Sequence, residues 1–261
     1  MSSTMRRDES DGVLTITIDR DDKLNAVSED MLDVLRSAVT ELGDRQDLRV
    51  LVITAEGRYF TAGIDVGRFV NKKIGSGVAS RRDYRRVHLL LDEIETMEKP
   101  VVLAAQGPCL GFGVELGISC DFRLASDRAT FALPEIVTLG VLPGSGGISR
   151  LTRLIGPHWT RWLAMAAQSV DAQQAVSIGL VHQVIPEADF PGAVQAFARS
   201  LSRLSPEALG LAKVGINAAA TADRGTARDM DRMANTLLFQ TEEHRQAMAK
   251  FTSRGNKSKK S

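Results

Sequence analysis

Two apolar runs, at residues 48–54 (LRVLVIT) and 101–107 (VVLAAQG), constrain the fold of this chain more than any other feature. Apolar runs of this kind, without regular alternation, are typical of strands that a sheet buries on both faces. The first run follows residues 28–43 (SEDMLDVLRSAVTELG), where apolar positions recur at helical spacing; Ser28 can cap this helix and Gly43 can end it. Strands that alternate with helices in this way predict an α/β layer fold.

The two ends of the chain differ from this centre. Residues 12–20 (GVLTITIDR) alternate as a half-buried strand does, and we expect the polar stretch at 67–82 to be mobile. From residue 146 onward nearly every segment has helical character. We therefore predict an α/β core at 1–200, in which about the first ten residues are disordered, and a helical C-terminal oligomerisation region at 201–261 that ends in a frayed basic tail.

The composition argues against several classes of protein. The 261 residues carry a formal net charge of +1 and a pI near 7.8, so no overall field favours nucleic acid or an anionic membrane. No apolar run approaches the ~18 residues of a membrane span, and the acidic N-terminus has no signal-peptide core. Two cysteines, Cys109 and Cys120, are too few for a disulfide framework. We expect a soluble, cytoplasmic protein whose thiols are reduced and buried.

Three glycine-bearing segments are candidates for a ligand site: residues 59–67 (YFTAGIDVG), 107–117 (GPCLGFGVELG) and 131–147 (FALPEIVTLGVLPGSGG). Glycine lets the backbone approach a ligand closely. A short helix that opens at Gly111 would also offer free N–H groups and its dipole to an anion. The second segment lacks the last glycine of a dinucleotide fingerprint, and no phosphate-binding P-loop is present.

Two of these segments carry a carboxylate in apolar surroundings, Glu115 and Glu135. An acid among valine, leucine and isoleucine is costly to bury unless it is paired or used. Taken alone, Glu115 is explained equally well by a structural role, through an ion pair or access to solvent, and by a functional one. Glu135 follows Pro134, where an acid stabilises the start of a helix. The two carboxylates can flank one cavity only if the fold brings them together, and their spacing of twenty residues does not show that.

The order of these segments resembles that of the crotonase, or enoyl-CoA hydratase/isomerase, superfamily. The similarity runs from about residue 12 to residue 252. Five segments carry it: LNAVSEDML at 24–32, AGID at 62–65, KPVVLAAQGPCLGFGVELGISCDFRLAS at 99–126, FALPEIVTLGVLPGSGGISRLTRLIG at 131–156 and AQQAVSIGLVHQVIP at 172–186. The resemblance implies a spiral of ββα units followed by a helical C-terminal trimerisation region.

The resemblance assigns roles to four residues. In the family, two backbone N–H groups bind the thioester oxygen and stabilise the enolate; here they are those of Ile64 and Phe112. The family's hydratases use two glutamates, which match Glu115 and Glu135. Glu115 resembles the residue that activates water, and Glu135 resembles the one that delivers a proton to the α-carbon.

Both glutamates together favour an enoyl-CoA hydratase, since isomerases of 3-enoyl to 2-enoyl thioesters typically keep one catalytic acid. The isomerase, or another acyl-CoA reaction of the family, is the alternative. A catalytically degenerate binding subunit is a more remote one. Phe112 stands where many hydratases have glycine, and its side chain must point away from the substrate.

The coenzyme A portion of the substrate is expected along two segments. The similarity to the family assigns its contacts to Lys23, Leu24, Ala26, Ala62, Gly63, Asp65 and Gly111. Asp65 is equally well explained as a structural turn residue. The resemblance implies an acyl-CoA thioester as substrate, a homotrimer or dimer of trimers, and no metal or other cofactor, since the substrate itself carries coenzyme A.

Other reactive residues have simpler explanations. The four histidines, His88, His158, His182 and His244, are scattered and lack metal-ligand spacing. One basic cluster predicts a solvated helix face: Arg81, Arg82, Arg85 and Arg86. A lid over the coenzyme phosphates and an RNA-binding surface are the alternatives for this cluster. The near-neutral charge and the absence of interleaved aromatics make nucleic acid a weak candidate.

Overall fold

The computed structural model describes residues 4–67 and 77–258 and divides the chain into two compact units, Met1–Ser202 and Arg203–Ser261. The first unit contains both sheets and seven α-helices among its described residues, and the second is helical. The predicted α/β class of the core is therefore confirmed. No helix within residues 4–67 and 77–258 combines the length and apolar character that crossing a membrane requires.

Six strands form the main sheet of the first unit: β1 (Met5–Ser10), β2 (Val13–Ile18), β3 (Val50–Ala55), β4 (Val101–Ala105), β6 (Phe122–Ser126) and β9 (Gln183–Ile185), in the spatial order β1-β2-β3-β4-β6-β9. Only the β1–β2 pair is antiparallel among these described strands. A second, three-stranded sheet consists of β5 (Cys109–Leu110), β7 (Thr130–Ala132) and β8 (Val170–Asp171). The two apolar runs of the sequence are thus the central strands β3 and β4.

Helices surround these sheets in the first unit. They are α1 (Glu29–Asp44), α2 (Gly77–Thr96), α3 (Phe112–Ser119), α4 (Glu135–Thr138), α5 (Gly147–Ala164), α6 (Ala172–Ser177) and α7 (Phe190–Ser202). Short 3-10 helices lie at Asp21–Lys23 and Glu187–Asp189. As predicted, Ser28 caps α1: its Oγ accepts a hydrogen bond from the Met31 N–H at 3.4 Å.

The main sheet is buried on both faces, which explains why its central strands do not alternate. Along β3, Leu51 and Ile53 belong to the larger core that contains the buried side of α1. Val50 and Val52 belong to a second core that contains the buried residues of α7. Each apolar residue of the strand therefore faces a helix layer, and burial of both faces stabilises the sheet.

The N-terminal region differs from expectation in two ways. Residues 5–10 are not disordered: β1 pairs with β2 through the turn at Asp11–Gly12, where φ is 54° and 76°. Positive φ at both positions is the geometry of a two-residue hairpin turn, and Asp-Gly supplies it at low cost. The half-buried assignment of β2 is also wrong, because all six of its residues are buried. Its second face packs in the core that α7 completes.

Two other expectations are corrected in part. Residues 77–82 of the supposed mobile stretch form the first turns of α2, and residues 68–76 lie outside the described part of the chain. In the second unit the helices are α8 (Pro206–Ala219), α9 (Arg224–Leu238) and α10 (Glu242–Ser258). The supposed frayed tail is therefore helical up to Ser258, and residues 259–261 lie outside the described part.

Candidate active site

Pairing between two short strands brings the two glutamates together. β5 and β7 run parallel, with Leu110 opposite Ala132, and the Gly111 N–H donates to the Ala132 carbonyl at 2.9 Å. Chain positions 111 and 132 therefore lie side by side. Glu115 follows one of them by a single turn of α3, and Glu135 follows the other at the start of α4. The two-residue pairing of β5 with β7 shows that the two glutamates are close in the fold, which their spacing in the sequence could not establish.

Glu115 is buried, with 4% of its surface exposed, and it is held by the backbone. Its Oε1 accepts hydrogen bonds from the Ser145 N–H at 2.7 Å and the Gly147 N–H at 3.1 Å. Burial raises the pKa of Glu115, and these two N–H groups oppose the rise because they favour the charged form. Glu115 is thus a positioned carboxylate without an arginine or lysine partner among the described residues.

Glu135 is half-buried, and its hydrogen bonding differs from that of Glu115. Its Oε2 is shielded from solvent, and no described residue donates a hydrogen bond to it. Burial raises the pKa of Glu135 to about 7, and the negative charge of Glu115 adds to the rise. A carboxyl group with this pKa is protonated in about half of the molecules at neutral pH, so it can donate or accept a proton there.

Two backbone N–H groups near these carboxylates have no acceptor among the residues described. Phe112 is the first residue of α3, so its N–H has no partner within the helix. Ile64 lies in a parallel bridge with Val27 that uses the Gly63 carbonyl and the Asp65 N–H, which leaves the Ile64 N–H unused. The sequence-predicted pair of donors therefore consists of two N–H groups available to a ligand.

Two glycines allow these donors and the acids to approach one another. Gly63 has φ of 101° and Gly111 has φ of 53°, both in the region that L side chains rarely adopt. A Cβ on Gly63 would lie 3.6 Å from the Phe112 nitrogen, which shows how close the two loops are. A Cβ on Gly111 would lie only 2.6 Å from Oε1 of Glu135. A side chain at Gly111 would thus occupy the space where the two loops and the carboxylate meet.

The side chain of Phe112 does not enter this space. It is 2% exposed and belongs to the larger hydrophobic core of the first unit. The expectation that it points away from the substrate is therefore consistent with the structure. Phe112 contributes its N–H to the site and its ring to the core.

The segments predicted to bind coenzyme A run beside each other. The Ala62 N–H donates to the Leu24 carbonyl at 2.9 Å, and the Val27 N–H donates to the Gly63 carbonyl at 2.8 Å. Lys23 is exposed at the end of its 3-10 helix, and Ala26 is half-buried. The predicted contacts on both segments, including Asp65, therefore share one region, and Gly111 meets it through Gly63.

Asp65 has a clear structural role. Its Oδ2 accepts a hydrogen bond from Arg20 Nη1 at 2.8 Å, and its Oδ1 accepts one from the Gly67 N–H at 3.0 Å. The guanidinium of Arg20 lowers the pKa of Asp65, which favours the charged carboxylate. Arg20 also donates to the Ala26 carbonyl, which ties both segments together. The only signal of Arg20 in the sequence is its place just before this segment.

Asn25 was also missed, although it organises the predicted coenzyme A segment. It is fully buried at φ of 56°, a conformation that asparagine tolerates better than most residues. Its Nδ2 donates to the carbonyls of Glu56 and Tyr59, and its Oδ1 accepts from the Arg20 N–H, each at 2.7 Å. The Leu-Asn pair before an apolar helix was a turn signal that could have identified it.

The remaining candidates take structural positions. Cys109 and Cys120 are buried and form no disulfide within the described residues, and burial raises the pKa of Cys109. No group of three or more histidine, cysteine or acidic residues that could hold a metal occurs within the described ranges. The basic cluster is exposed on α2, as predicted. The Nε2–H of His88, however, donates to the Gly144 carbonyl at 2.7 Å, a contact that the sequence did not indicate.

Comparison with known proteins agrees with this geometry. A family model described as Enoyl-CoA hydratase/isomerase matches residues 8–260. The short-chain-enoyl-CoA hydratase of Clostridium acetobutylicum is 34% identical over 244 residues, or 92% of this chain and 90% of that protein. The crotonyl-CoA hydratase of Syntrophomonas wolfei is 34% identical over 246 residues, or 94% and 93%. An enoyl-CoA hydratase structure from Bacillus anthracis is similar, with a TM-score of 0.89, 28% identity and 97% coverage of both chains.

Proposed function

The chain belongs to the enoyl-CoA hydratase/isomerase family, and from this premise we propose that it adds water across the double bond of a 2-enoyl-CoA thioester. The similarities confirm the family resemblance and the crotonase-type fold that the sequence motifs implied. One observation carries the proposal: Glu115 and Glu135 lie close enough for the charge of one to act on the other, and Oε1 of Glu135 lies at Gly111, beside two N–H groups that no described residue uses.

The two N–H groups provide a site for the thioester carbonyl oxygen. During hydration, negative charge develops on that oxygen as the carbon skeleton takes on enolate character. Donors that are already oriented stabilise such charge without reorganisation, and each is worth on the order of 3 kcal/mol in a dry site. The N–H of Phe112 adds the positive end of the α3 dipole. We assign the oxyanion hole to Ile64 and Phe112 on this basis.

The two glutamates divide the transfer of water between them. The oxygen of water bonds to the β-carbon while the π electrons shift toward the carbonyl, and the carboxylate of Glu115 accepts the proton that water loses. Glu135 gives a proton to the α-carbon, which completes the 3-hydroxyacyl thioester. The hydrogen bonds to Glu115 favour its charged form, and the pKa of Glu135 near 7 makes its protonated form available.

The nucleotide end of the substrate is expected along the segments that contain Lys23, Leu24 and Ala26. Ala62, Gly63 and Asp65 lie beside these segments and would border the pantetheine arm.

No metal or redox group is needed in this scheme, because the thioester itself acidifies the α-carbon. Activity should therefore survive dialysis against a chelator. We also propose that the working form is a homotrimer or a dimer of trimers.

The test is the loss of enoyl-thioester absorbance when purified protein is mixed with 2-enoyl-CoAs of several chain lengths. We expect turnover with at least one chain length, and a decrease of about 100-fold or more in kcat for Glu115→Gln. A parallel reaction with a 3-enoyl-CoA separates the isomerase from the hydratase. Formation of the 2-enoyl product without further hydration would overturn the hydratase and support the isomerase.

A further inference from the structure

Helix α2 contacts the loop at 144–147, whose backbone N–H groups bind the carboxylate of Glu115. Four of its residues that contact the loop or its neighbour Arg150 are spaced by four, four and three positions, so they lie on one face of the helix. They are Tyr84, His88, Asp92 and Glu95. No sequence motif assigns a role to any of the four.

His88 makes the most direct of these contacts. Its Nε2 lies 2.7 Å from the Gly144 carbonyl oxygen, and since a carbonyl only accepts, Nε2 carries the proton. The next residue, Ser145, donates its N–H to Oε1 of Glu115, and so does Gly147. The hydrogen bond of His88 thus acts on the peptide unit whose N–H belongs to Ser145, because the Gly144 carbonyl and the Ser145 N–H share one plane.

Two further contacts fix the position of the same loop relative to α2. A Cβ on Gly144 would lie 2.6 Å from a ring carbon of Tyr84, so the glycine allows close approach of that ring. Arg150 donates to the Ser145 carbonyl at 3.2 Å, and its guanidinium pairs with Asp92 and Glu95. The Arg150 side chain is only 9% exposed, whereas Asp92 and Glu95 reach into solvent. The loop therefore has a defined position relative to α2 on both sides of Ser145.

We propose that His88 is a positioning residue for Glu115: by donating to the Gly144 carbonyl, it orients the Ser145 peptide so that its N–H holds the carboxylate. This inference rests on the proposed function for its effect on catalysis, since it assigns Glu115 the activation of water. It does not make His88 a catalytic residue, because the imidazole touches the loop and the substrate reacts at Glu115. Its geometric part can be tested without any substrate.

Asparagine and glutamine at position 88 form a matched pair for the test. The amide nitrogen of glutamine can occupy the place of His88 Nε2, whereas that of asparagine is one methylene shorter and cannot reach the Gly144 carbonyl. Both residues are polar, uncharged and compatible with a helix, so their difference isolates the hydrogen bond. His158→Asn serves as the control, because His158 is exposed on α5 and its ring contact is with Trp159.

In the hydration assay we expect His88→Asn to lower kcat about tenfold with little change in KM, because a displaced base slows the chemical step more than substrate binding. His88→Gln should recover most of the lost rate, and His158→Asn should match the unmodified protein. Equal rates for the asparagine and glutamine variants, whether both fast or both slow, would overturn the proposal.

Hydrogen exchange of a peptide that covers residues 143–149 provides the independent measurement. We expect faster amide exchange in His88→Asn than in the unmodified protein, and near-normal exchange in His88→Gln. Unchanged exchange in His88→Asn would overturn the proposed positioning. Because this readout needs no substrate, a protein without hydratase activity would contradict the proposed function and leave the exchange result to decide the role of His88.

Discussion

Burial raises the pKa of both Glu115 and Glu135, but the two carboxyl groups differ in their hydrogen bonds. Two backbone N–H groups bind Oε1 of Glu115, and such bonds favour the charged carboxylate. Oε2 of Glu135 is shielded and receives no bond from the described residues, which favours the neutral acid. Two chemically identical side chains in one site can therefore take the roles of base and acid.

The raised pKa of Glu135 has a measurable effect on stability. A folded-state pKa of about 7 lies above the ordinary value of 4.5, so the folded protein holds a proton that the unfolded chain has lost. Stability therefore decreases as pH rises from about 4.5 to about 7. Glu135→Gln removes this cost and should increase the free energy of unfolding at pH 8 by about 1–2 kcal/mol, after allowance for partial exposure.

Urea unfolding of both proteins at pH 8 and at pH 4.5 checks this. The two stabilities should nearly converge at the lower pH, where Glu135 is protonated in the folded state and about half protonated in the unfolded chain. A variant that is less stable than the unmodified protein at pH 8 would contradict the raised pKa.

Gly111 should tolerate no side chain. Gly111→Ala would place a Cβ 2.6 Å from Oε1 of Glu135 and would hold alanine at φ of 53° and ψ of −117°. We expect a loss of about 1–3 kcal/mol in stability and a loss of about 100-fold in kcat, because Glu135 must move. Thermal unfolding and the hydration assay measure the two effects.

Gly43→Ala is the matched control for that substitution. Gly43 lies near the end of α1, and a Cβ there meets nothing within 4 Å. Alanine should be neutral or stabilising by up to about 1 kcal/mol in a helix. A Gly111→Ala protein as active as this control would show that Glu135 does not need the space beside Gly111.

At the scale of elements, the sequence predicted those whose burial leaves a pattern. The apolar runs became β3 and β4, and Ser28 and the apolar spacing identified α1. The strand β1 was missed because its residues are mostly exposed, although the Asp11–Gly12 pair is a hairpin signal. The periodicity of β2 suggested one buried face because Thr15 and Thr17 are polar, yet both are buried.

The candidate site was predictable only in part. The family motifs indicated Glu115, Glu135, Ile64 and Phe112, but their meeting depends on the two-residue pairing of β5 with β7. Such short pairing leaves no periodicity to detect. The bonds from the loop at 144–147 to Glu115 join positions thirty residues apart, and backbone donors carry no sequence signal. These contacts are tertiary, and the structure was needed to find them.

The segment around Asn25 depends on one side chain. Asn25→Ala removes three hydrogen bonds and leaves the carbonyls of Glu56 and Tyr59 without this donor. It also places alanine at φ of 56°. We expect a loss of about 3 kcal/mol in the free energy of unfolding. Urea denaturation measures it, with exposed Asp22→Ala of the same segment as a control that should change stability by less than about 0.5 kcal/mol.

If Asn25→Ala proved as stable as the Asp22→Ala control, the turn would not depend on Asn25. The kinetic consequence is separable from the loss of stability. Since this segment is proposed to border coenzyme A, the folded fraction of the variant should show a raised KM with a smaller change in kcat.

At the scale of the whole molecule, the second unit exposes large apolar side chains, as a subunit interface does when its partner is absent. Large apolar residues such as Met233, Leu237 and Phe239 are more than half exposed on or after α9. Exposed apolar side chains at this density are typical of surfaces that another chain covers. This feature supports the proposal, first implied by the family resemblance, that the protein forms a homotrimer or a dimer of trimers.

Light scattering after size-exclusion chromatography tests the assembly. We expect the unmodified protein to elute as a trimer or hexamer, and Leu237→Asp to dissociate because a charge would be buried without a partner. The exposed neighbour Thr236→Asp introduces the same charge on a polar position and should remain assembled. A monomeric unmodified protein would contradict the proposed assembly.

The most direct test of the central claim, water addition by Glu115 and Glu135, is the mass of the product formed from a 2-enoyl-CoA in heavy-oxygen water and in deuterium oxide. We expect a 3-hydroxyacyl thioester that contains one solvent oxygen and one solvent-derived hydrogen at the α-carbon, with formation greatly slowed in both Glu115→Gln and Glu135→Gln. A product without solvent oxygen, or variants that incorporate it at the unmodified rate, would rule out water addition by these two glutamates.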